Sequence, residues 1–460
     1  MITRTLWGAA AALALLLGAC GGDSGNNPAL TSEPTPGASA FVTAAPSPTT
    51  VPVAPGGAKQ LGSSAGTPTT AKVPSFDALP GATTSFGQID AASYAIEMPD
   101  KWNGELVLYA HGFAGFGTEV SVQAPPAALR TYLVTNGFAW AASSYSENGY
   151  VPGIGADDTL ALKKKFVEDF GAPERSYIAG ASMGGNVVSL ALENQVGEYD
   201  GGLSICGALM GVGQIDYLVS WIAAAEYTSG LSFPIGEPGA NLTGLFLQDV
   251  PRELGSPANP TEKGKQFASI IKNATGGSRP FFKEGFIEQY TVNFGLALFD
   301  PERKFLVNRA ATNDGVEYHI DPGLGLTDAQ INAGIKRYAS DPSARNAEQH
   351  PDAVLTTGNI SVPLLTLHGT GDLFVPITME QDYKKAVAAS GKSDLLVQRA
   401  IRSAGHCKFS EPELTTAFED LVNWVRDGKK PKGDDISGDL TNAGLQFTNP
   451  LRPGDPGGVN

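Results

Sequence analysis

The sequence predicts a doubly wound α/β protein: a mostly parallel sheet covered by helices on both faces, with a large, mainly helical insertion late in the chain. Three observations predict it. Short apolar, β-rich runs alternate with longer helical patterns through the first half of the chain and again near its end, as strand–helix–strand crossovers require. One such run, Ser176–Ala179, passes through Gly180-Ala181-Ser182-Met183-Gly184 directly into the helical stretch Asn186–Glu193. Between about 207 and 360 the alternation stops, where the sheet needs only one helix, and a structureless loop of that length is uncommon in a compact domain.

The elements follow in order. Strands are expected near Ala92–Glu97, Glu105–Ala110, Phe138–Ser143, Ser176–Gly180, Gly201–Ile205, Pro363–His368 and Leu395–Ile401, each a short run rich in apolar or β-branched residues. Helices are expected near Pro126–Thr135, Asp157–Phe170, Gly185–Gln195, Met379–Ala389 and Glu411–Val425. Asp157-Asp158 suits the positive end of its helix. The early pair between Ala92 and Ala110, with Asn103-Gly104 between them, reads as an antiparallel hairpin at the start of the sheet. Within the insertion, Ile215–Tyr227, Lys263–Asn273 and Asp328–Ala339 have helical patterns. It holds, among other aromatics, Trp221, Phe233, Phe246, Phe281, Phe282, Phe286, Tyr290, Phe294 and Phe299. The segment is expected to cap Ser182, with apolar residues lining a pocket. For most of these aromatics the competing reading, a core for the cap itself, is the favoured one.

The N-terminal region has a different composition. Arg4 precedes a short apolar run, Leu6 to Leu17, which is too short to span a bilayer and reads as a signal peptide. Its end, Leu17-Gly18-Ala19-Cys20, resembles the lipobox of bacterial lipoproteins, in which the cysteine becomes the lipid-modified first residue. An ordinary signal with an incidental cysteine is the alternative. Residues 21–75 are rich in Gly, Ser, Thr, Pro and Ala, a composition that cannot bury a core and predicts a disordered tether. The expected organisation is therefore a signal peptide over 1–20, a tether over 21–75, a catalytic domain over 76–430 with its cap at about 207–360, and a C-terminal tail over 431–460. The location expected is outside the cytoplasm, lipid-anchored to the cell or outer membrane and facing the periplasm or exterior. No later segment is long and apolar enough to span a bilayer.

A net charge of −15 over 460 residues argues against nucleic acid, whose binding rests on cationic contacts to phosphate. It also weakens the case for anionic polymers. The sequence has no metal-ligand cluster, phosphate loop, dinucleotide fingerprint or internal repeat, so no cofactor and no metal are expected. The partner these features imply is, through the lipid alone, a membrane.

The chemistry starts at Ser182. The Gly-x-Ser-x-Gly pattern carries meaning only on a strand–turn–helix junction, which the flanks supply. Glycines at 180 and 184 admit a turn too tight for side chains. A serine hydroxyl needs a base, and the chain has five histidines. His111 and His368 end apolar β-like runs, and His319 and His350 fall in a polar, irregular stretch. His406, in Ser403-Ala-Gly-His406-Cys407, lies in a small-residue loop after a strand and ahead of the closing helix, a placement suited to an aimed base. Asp372, in His368-Gly-Thr-Gly-Asp372-Leu-Phe-Val-Pro376, is the candidate acid, with Asp216 the runner-up. The order Ser182, Asp372, His406 is the one expected of a single fold.

On these motifs the chain resembles the α/β-hydrolases over roughly residues 76–430. The resemblance implies an oxyanion hole made by the backbone N–H groups of Phe113, from Ala110-His111-Gly112-Phe113, and of Met183. It also places Cys206 and Cys407 near the carboxyl edge of the sheet, where in an exported protein they are expected to form a disulfide, two buried thiols being the alternative. Tannases and feruloyl esterases of this fold carry a similar device. Here Ala181, not cysteine, precedes Ser182, so that likeness is partial. The leading expectation is a carboxylic-ester hydrolase acting through an acyl-enzyme, with a small-molecule or oligomeric ester as its partner. A serine peptidase of prolyl-oligopeptidase type is the alternative, although the tether leaves no room for a propeller. A non-catalytic surface binding protein is the third reading, set against the presence of all three candidate residues.

Overall fold

The run Leu106-Val-Leu-Tyr-Ala110 shows in miniature how the sheet is built. Successive side chains of a strand point to opposite faces, and here both sets are apolar. Leu106, Leu108 and Ala110 join one buried cluster, Val107 and Tyr109 another. A strand of this kind needs cover on both sides, as in sheets flanked by crossover helices.

The computed structural model describes residues 69–235, 240, 242–298, 310–346 and 351–452. Its strands are β1 (Thr70–Lys72), β2 (Ala82–Ile89), β3 (Ala92–Pro99), β4 (Glu105–Ala110), β5 (Glu119–Ser121), β6 (Ala139–Ser143), β7 (Arg175–Ala181), β8 (Gly201–Ile205), β9 (Leu364–Gly369) and β10 (Leu396–Ile401). Its longer helices are α1 (Ala127–Thr135), α2 (Pro152–Phe170), α3 (Met183–Asn194), α4 (Gly213–Ser229), α5 (Glu262–Ala274), α6 (Phe282–Leu298), α7 (Asp328–Gly334), α8 (Thr378–Ala389) and α9 (Glu411–Asp427). An eight-stranded sheet runs in the order β10-β9-β8-β7-β4-β6-β3-β2. It is parallel from β6 to β10, and β3 is antiparallel to both β2 and β6. On one face Leu133 of α1 and Phe418 of α9 cover Val107 and Tyr177; on the other, Phe166 of α2, Val187 of α3 and Tyr383 of α8 cover Leu106 and Ile178. Helix α9 is delimited locally, by a capping box between Ser410 and Glu413 and by Gly428 in the left-handed conformation.

Four expectations change. The first hairpin is β2–β3, turning at Asp90 (φ 48°), and β6 lies between β3 and β4. Asn103-Gly104 does not fold the chain back on β3. The Asn103 N–H donates to Gly137 O and its side chain accepts from the Glu105 N–H, which steers the chain to a distant strand. Helix α2 starts at Pro152, a turn and more before Asp157. Its N-terminal carboxylate is Asp352, accepting from the N–H groups of Gly153 (2.7 Å) and Ile154 (3.3 Å), while Asp158 accepts from the Ser146 N–H instead. Helix α7 ends at Gly334 rather than near 339.

The fourth change concerns the ends. Residues 70–72, expected in the tether, pair in parallel with β5; residues 1–68, with the signal peptide, Cys20 and most of the tether, lie outside the described residues. Part of the C-terminal segment packs back on the sheet. Ile436, Leu440 and Ala443 are buried with Ile377 and Ala400. Asp434 bonds the outer edge of β10 through Gln398 O and the Ala400 N–H, covering an edge that would otherwise offer unpaired backbone groups.

Candidate active site

Ser182 sits between β7 and α3 with φ 60° and ψ −122°, a strained conformation for a residue with a side chain. The surroundings enforce it. The Ser182 N–H donates to Ile205 O (2.9 Å), and Ser182 O accepts from the N–H groups of Gly185 (2.9 Å) and Ala208 (3.2 Å). A Cβ at Gly184 would collide with Ala110 O, and one at Gly180 with Gly184 O. The chain can make this turn only with hydrogen at both positions. Helix α3 begins at Met183, so its positive end faces the serine.

His406 follows β10 in a loop, and Asp372 follows β9. Ser182 Oγ donates to His406 Nε2 at 2.8 Å, and His406 Nδ1 donates to Asp372 Oδ2 at 2.6 Å. Asp372 is 0% exposed, and its Oδ1 accepts from the N–H groups of Phe374 (3.0 Å) and Val375 (3.1 Å). The Phe374 ring meets the imidazole edge-on at 4.6 Å. The structure thus brings together Ser182, His406 and Asp372, the three residues singled out in the sequence. Asp216 lies elsewhere, held by Arg345 (2.8 and 3.2 Å) and the Thr312 N–H. Burial raises its pKa, against the opposing effect of Arg345.

Gly112 stands against the serine: a Cβ there would lie 3.1 Å from Ser182 Cβ and 3.6 Å from Oγ. This sets the turn carrying Phe113 beside Ser182, with Met183 next in the chain. Behind the turn, His111 is buried on the Tyr145 ring (4.0 Å), its nitrogens facing Gly112 O (2.7 Å) and Ser144 O (3.1 Å). Burial lowers its pKa, and those two carbonyls only partly offset the effect.

The sulfurs of Cys206 and Cys407 are at bonding distance, with 5.3 Å between Cα atoms. Their bridge ties the end of β8 to the residue after His406. Cys206, His406 and Cys407 are the one grouping of possible metal ligands among the described residues. With the sulfurs joined to each other and Nε2 engaged by Ser182, this set has no free donors for an ion.

The other histidines have structural partners. His319 Nδ1 bonds Asp328 (2.8 Å). His368 Nε2 donates to Val375 O (2.8 Å), with its Nδ1 3.3 Å from Glu380. Burial pulls the His368 pKa down, but Glu380 prevails and raises it. His350 lies outside the described residues.

The insertion between β8 and β9 is helical as expected, and its largest aromatics pack on one another. Trp221, Phe267 and Phe294 are fully buried, their rings 5.2 to 5.9 Å apart. They form a core of the insertion rather than a pocket wall; Phe299 lies outside the described residues.

What sequence reasoning missed are the polar residues of the insertion that hold the acid loop. Arg279 Nε donates to Thr370 O (2.6 Å), Tyr217 and Asn293 donate to Leu373 O (2.6 and 2.7 Å), and Gln214 donates to Phe374 O (2.6 Å). Gln289 bonds the same loop from α6. Burial pulls the Arg279 guanidinium down to about 10. No local signal marks these residues: Gln214, Tyr217, Gln289 and Asn293 are on helices, where polar side chains ordinarily face solvent, and Arg279 is in the loop between α5 and α6.

The fold is of α/β-hydrolase type: a mixed, mostly parallel sheet with helices on both faces and the strained serine at a strand–helix junction. No family model matches the chain. It is similar to the o-phthalyl amidase of Xanthobacter agilis, 22% identical over an aligned length of 409 that covers 76% of this chain and 88% of that protein. Among solved structures it is similar to feruloyl esterase B from Aspergillus oryzae, with 15% identity and a TM-score of 0.43 over 76% of this chain and 80% of that one. It is also similar to the acylaminoacyl peptidase of Pyrococcus horikoshii, with 11% identity and a TM-score of 0.39 over 78% of this chain and 44% of that one. Among the described residues, no helix is long and apolar enough to cross a membrane.

Proposed function

We propose that the protein is a serine hydrolase that cleaves carboxylic esters, with Ser182 as nucleophile, His406 as base and Asp372 as the group that orients the imidazole. The observation that carries this reading is the unbroken hydrogen-bond chain from Ser182 Oγ through His406 to the buried Asp372 carboxylate, at 2.8 and 2.6 Å. As Oγ attacks the ester carbonyl, its proton passes to His406 Nε2, and Asp372 stabilises the imidazolium. The tetrahedral oxyanion is received by the N–H groups of Phe113 and Met183; such donors contribute about 3–4 kcal/mol each when removed singly. The imidazolium then protonates the departing alcohol, leaving an acyl group on Ser182. Water, deprotonated by the same imidazole, attacks the acyl carbonyl; the bond from that carbon to Ser182 Oγ then breaks as the imidazolium returns the proton to Oγ, freeing the carboxylic acid and restoring the serine.

Amide cleavage is the second reading, favoured by the sequence similarity to the o-phthalyl amidase; the same array serves both bonds. The test is fluorophosphonate labelling followed by a panel of p-nitrophenyl esters and acyl anilides. Labelling at Ser182, faster turnover of esters than of anilides, and loss of both in Ser182→Ala are the expected results. Faster anilide turnover would replace the ester reading by the amide one, and labelling of a different serine would overturn the assignment.

We further propose that the mature protein begins at a lipid-modified Cys20 and works outside the cytoplasm, on the motif Leu17-Gly18-Ala19-Cys20. Acyl chains contribute about 0.8 kcal/mol per buried CH₂. Cys20→Ala should therefore leave the protein unprocessed or release it from membranes. A mature N-terminus far beyond position 20 would count against the anchor.

A further inference from the structure

Gln289, on α6 of the insertion, is 4% exposed, and its side-chain amide lies between the two loops that carry Asp372 and His406. Its Nε2 donates to Gly371 O at 3.1 Å and to Ala404 O at 2.8 Å. Its Oε1 accepts from the N–H groups of Leu373 at 3.0 Å and Phe374 at 2.6 Å. A glutamine amide has two donor hydrogens and two acceptor lone pairs, and here all four positions are taken. The orientation is fixed as well, because a flipped amide would set its oxygen against two carbonyls and its NH₂ against two N–H groups.

The partners bracket the proposed machinery. Gly371 and Leu373 flank Asp372, Ala404 lies two residues before His406, and the Phe374 N–H is shared between Gln289 Oε1 and Asp372 Oδ1. Helix α6 reaches this position because Gly285, one turn earlier on the same face, lets the helix backbone approach Gly371 O, where any Cβ would collide. On the exposed side Glu288 and Lys408 form a second tie to the histidine loop, at 2.6 Å.

We infer that Gln289 is a positioning residue: it clamps the acid loop to the histidine loop and so sets the separation of Asp372 and His406. This role rests on the serine-hydrolase reading given above. With every hydrogen-bonding position used internally, Gln289 is not a substrate contact and acts through Asp372 and His406. Its loss should slow the chemical steps and leave substrate binding alone. Misplacement of a reacting group by about 1 Å costs roughly a hundredfold in rate.

The test compares wild type with Gln289→Met, which keeps the length but makes none of the four hydrogen bonds. A second variant, Phe294→Leu, loosens the core of the insertion without touching either loop. Active sites are counted by exhaustive fluorophosphonate labelling, and kcat and KM are measured per labelled site on the p-nitrophenyl ester that wild type turns over fastest. The expected result is a fall in kcat of about ten- to a hundredfold for Gln289→Met, with KM within about threefold and no comparable fall for Phe294→Leu. If Gln289→Met does not fold, Gln289→Glu, which keeps the two accepted bonds and loses those donated, is held to the same criterion. A kcat within about threefold of wild type, a rise in KM alone, or an equal fall in kcat for Phe294→Leu would overturn the clamp and leave the serine-hydrolase reading standing. Absence of labelling at Ser182 in wild type would overturn that reading, and the clamp with it.

Discussion

The turn that carries Ser182 and the loop that carries Asp372 are both held rigidly, but by opposite means. The serine turn is held by backbone groups: hydrogen bonds to Gly185 within the turn and to Ile205 and Ala208 at and just after the end of β8 fix it, and two glycines of its own make room for it. The acid loop is held from a distance. Side chains of Gln214, Tyr217, Arg279, Gln289 and Asn293, all in the insertion, bond its carbonyls and N–H groups. A turn whose steric demands fall on its own glycines can be read from a five-residue pattern. A remotely held loop has no pattern, because its supports are scattered along the chain.

Substitutions should separate the two regions. The largest effects belong to the reacting groups. His406→Ala should lower kcat by about a millionfold, as members of such a unit do when removed singly. Asp372→Asn should cost about ten-thousandfold, through the wrong imidazole tautomer. Asp216→Asn should lower thermal stability by breaking the pair with Arg345 and keep kcat within about threefold; steady-state kinetics on the three purified variants decide. A large loss for Asp216→Asn with none for Asp372→Asn would reverse the assignment of the acid.

Next comes the serine turn itself. In Gly184→Ala the added carbon meets Ala110 O and lies 2.8 Å from His111 O, both backbone atoms that cannot swing aside. Overpacking of this kind costs about 1–3 kcal/mol, and turnover should fall with it. Gly438→Ala, where nothing lies within 4 Å, should be neutral in the same thermal melts. Equal stability of the two variants would show that the turn is less constrained than its contacts imply.

The smallest effect on rate is expected at the disulfide, which joins a locally fixed strand end to the histidine loop. Cys206 and Cys407 are 201 residues apart, and the chain-entropy model assigns such a loop about 5 kcal/mol, from which strain subtracts. Cys407→Ser should lower the melting temperature and modestly lower turnover, while Ser182 still reacts with a fluorophosphonate. Titration of denatured, unreduced mature protein should find no thiol from positions 206 or 407; two would rule out the bridge.

The same division governs what could be read in advance. Strand β4 was legible to the residue because its run from Leu106 to Ala110 is apolar on both faces, and β8 because its short run Gly-Gly-Leu-Ser-Ile follows the nucleophile helix. The candidate nucleophile was legible because glycines and a strand–helix junction are sequence-local. Strand β2 was not: Ala-Thr-Thr-Ser-Phe-Gly-Gln-Ile lies at the sheet edge and has little apolar periodicity. The start of α2 was misjudged because the carboxylate at its N-terminus, Asp352, is 199 residues from Gly153. Gln289 was invisible for the same reason, since nothing in Ile287-Glu-Gln-Tyr290 points to a loop more than eighty residues away.

The insertion leaves the sheet after β8 and re-enters it at the neighbouring parallel strand β9, so by topology it resembles a cassette that recombination could exchange. The hydrogen bonds say otherwise. A foreign segment spliced at those two strands would arrive without Gln214, Tyr217, Arg279, Gln289 and Asn293, and the loop bearing Asp372 would lose its side-chain supports at Thr370, Gly371, Leu373 and Phe374 in one step. A graft that is to keep the loop bearing Asp372 in place must therefore carry the segment and the loop together.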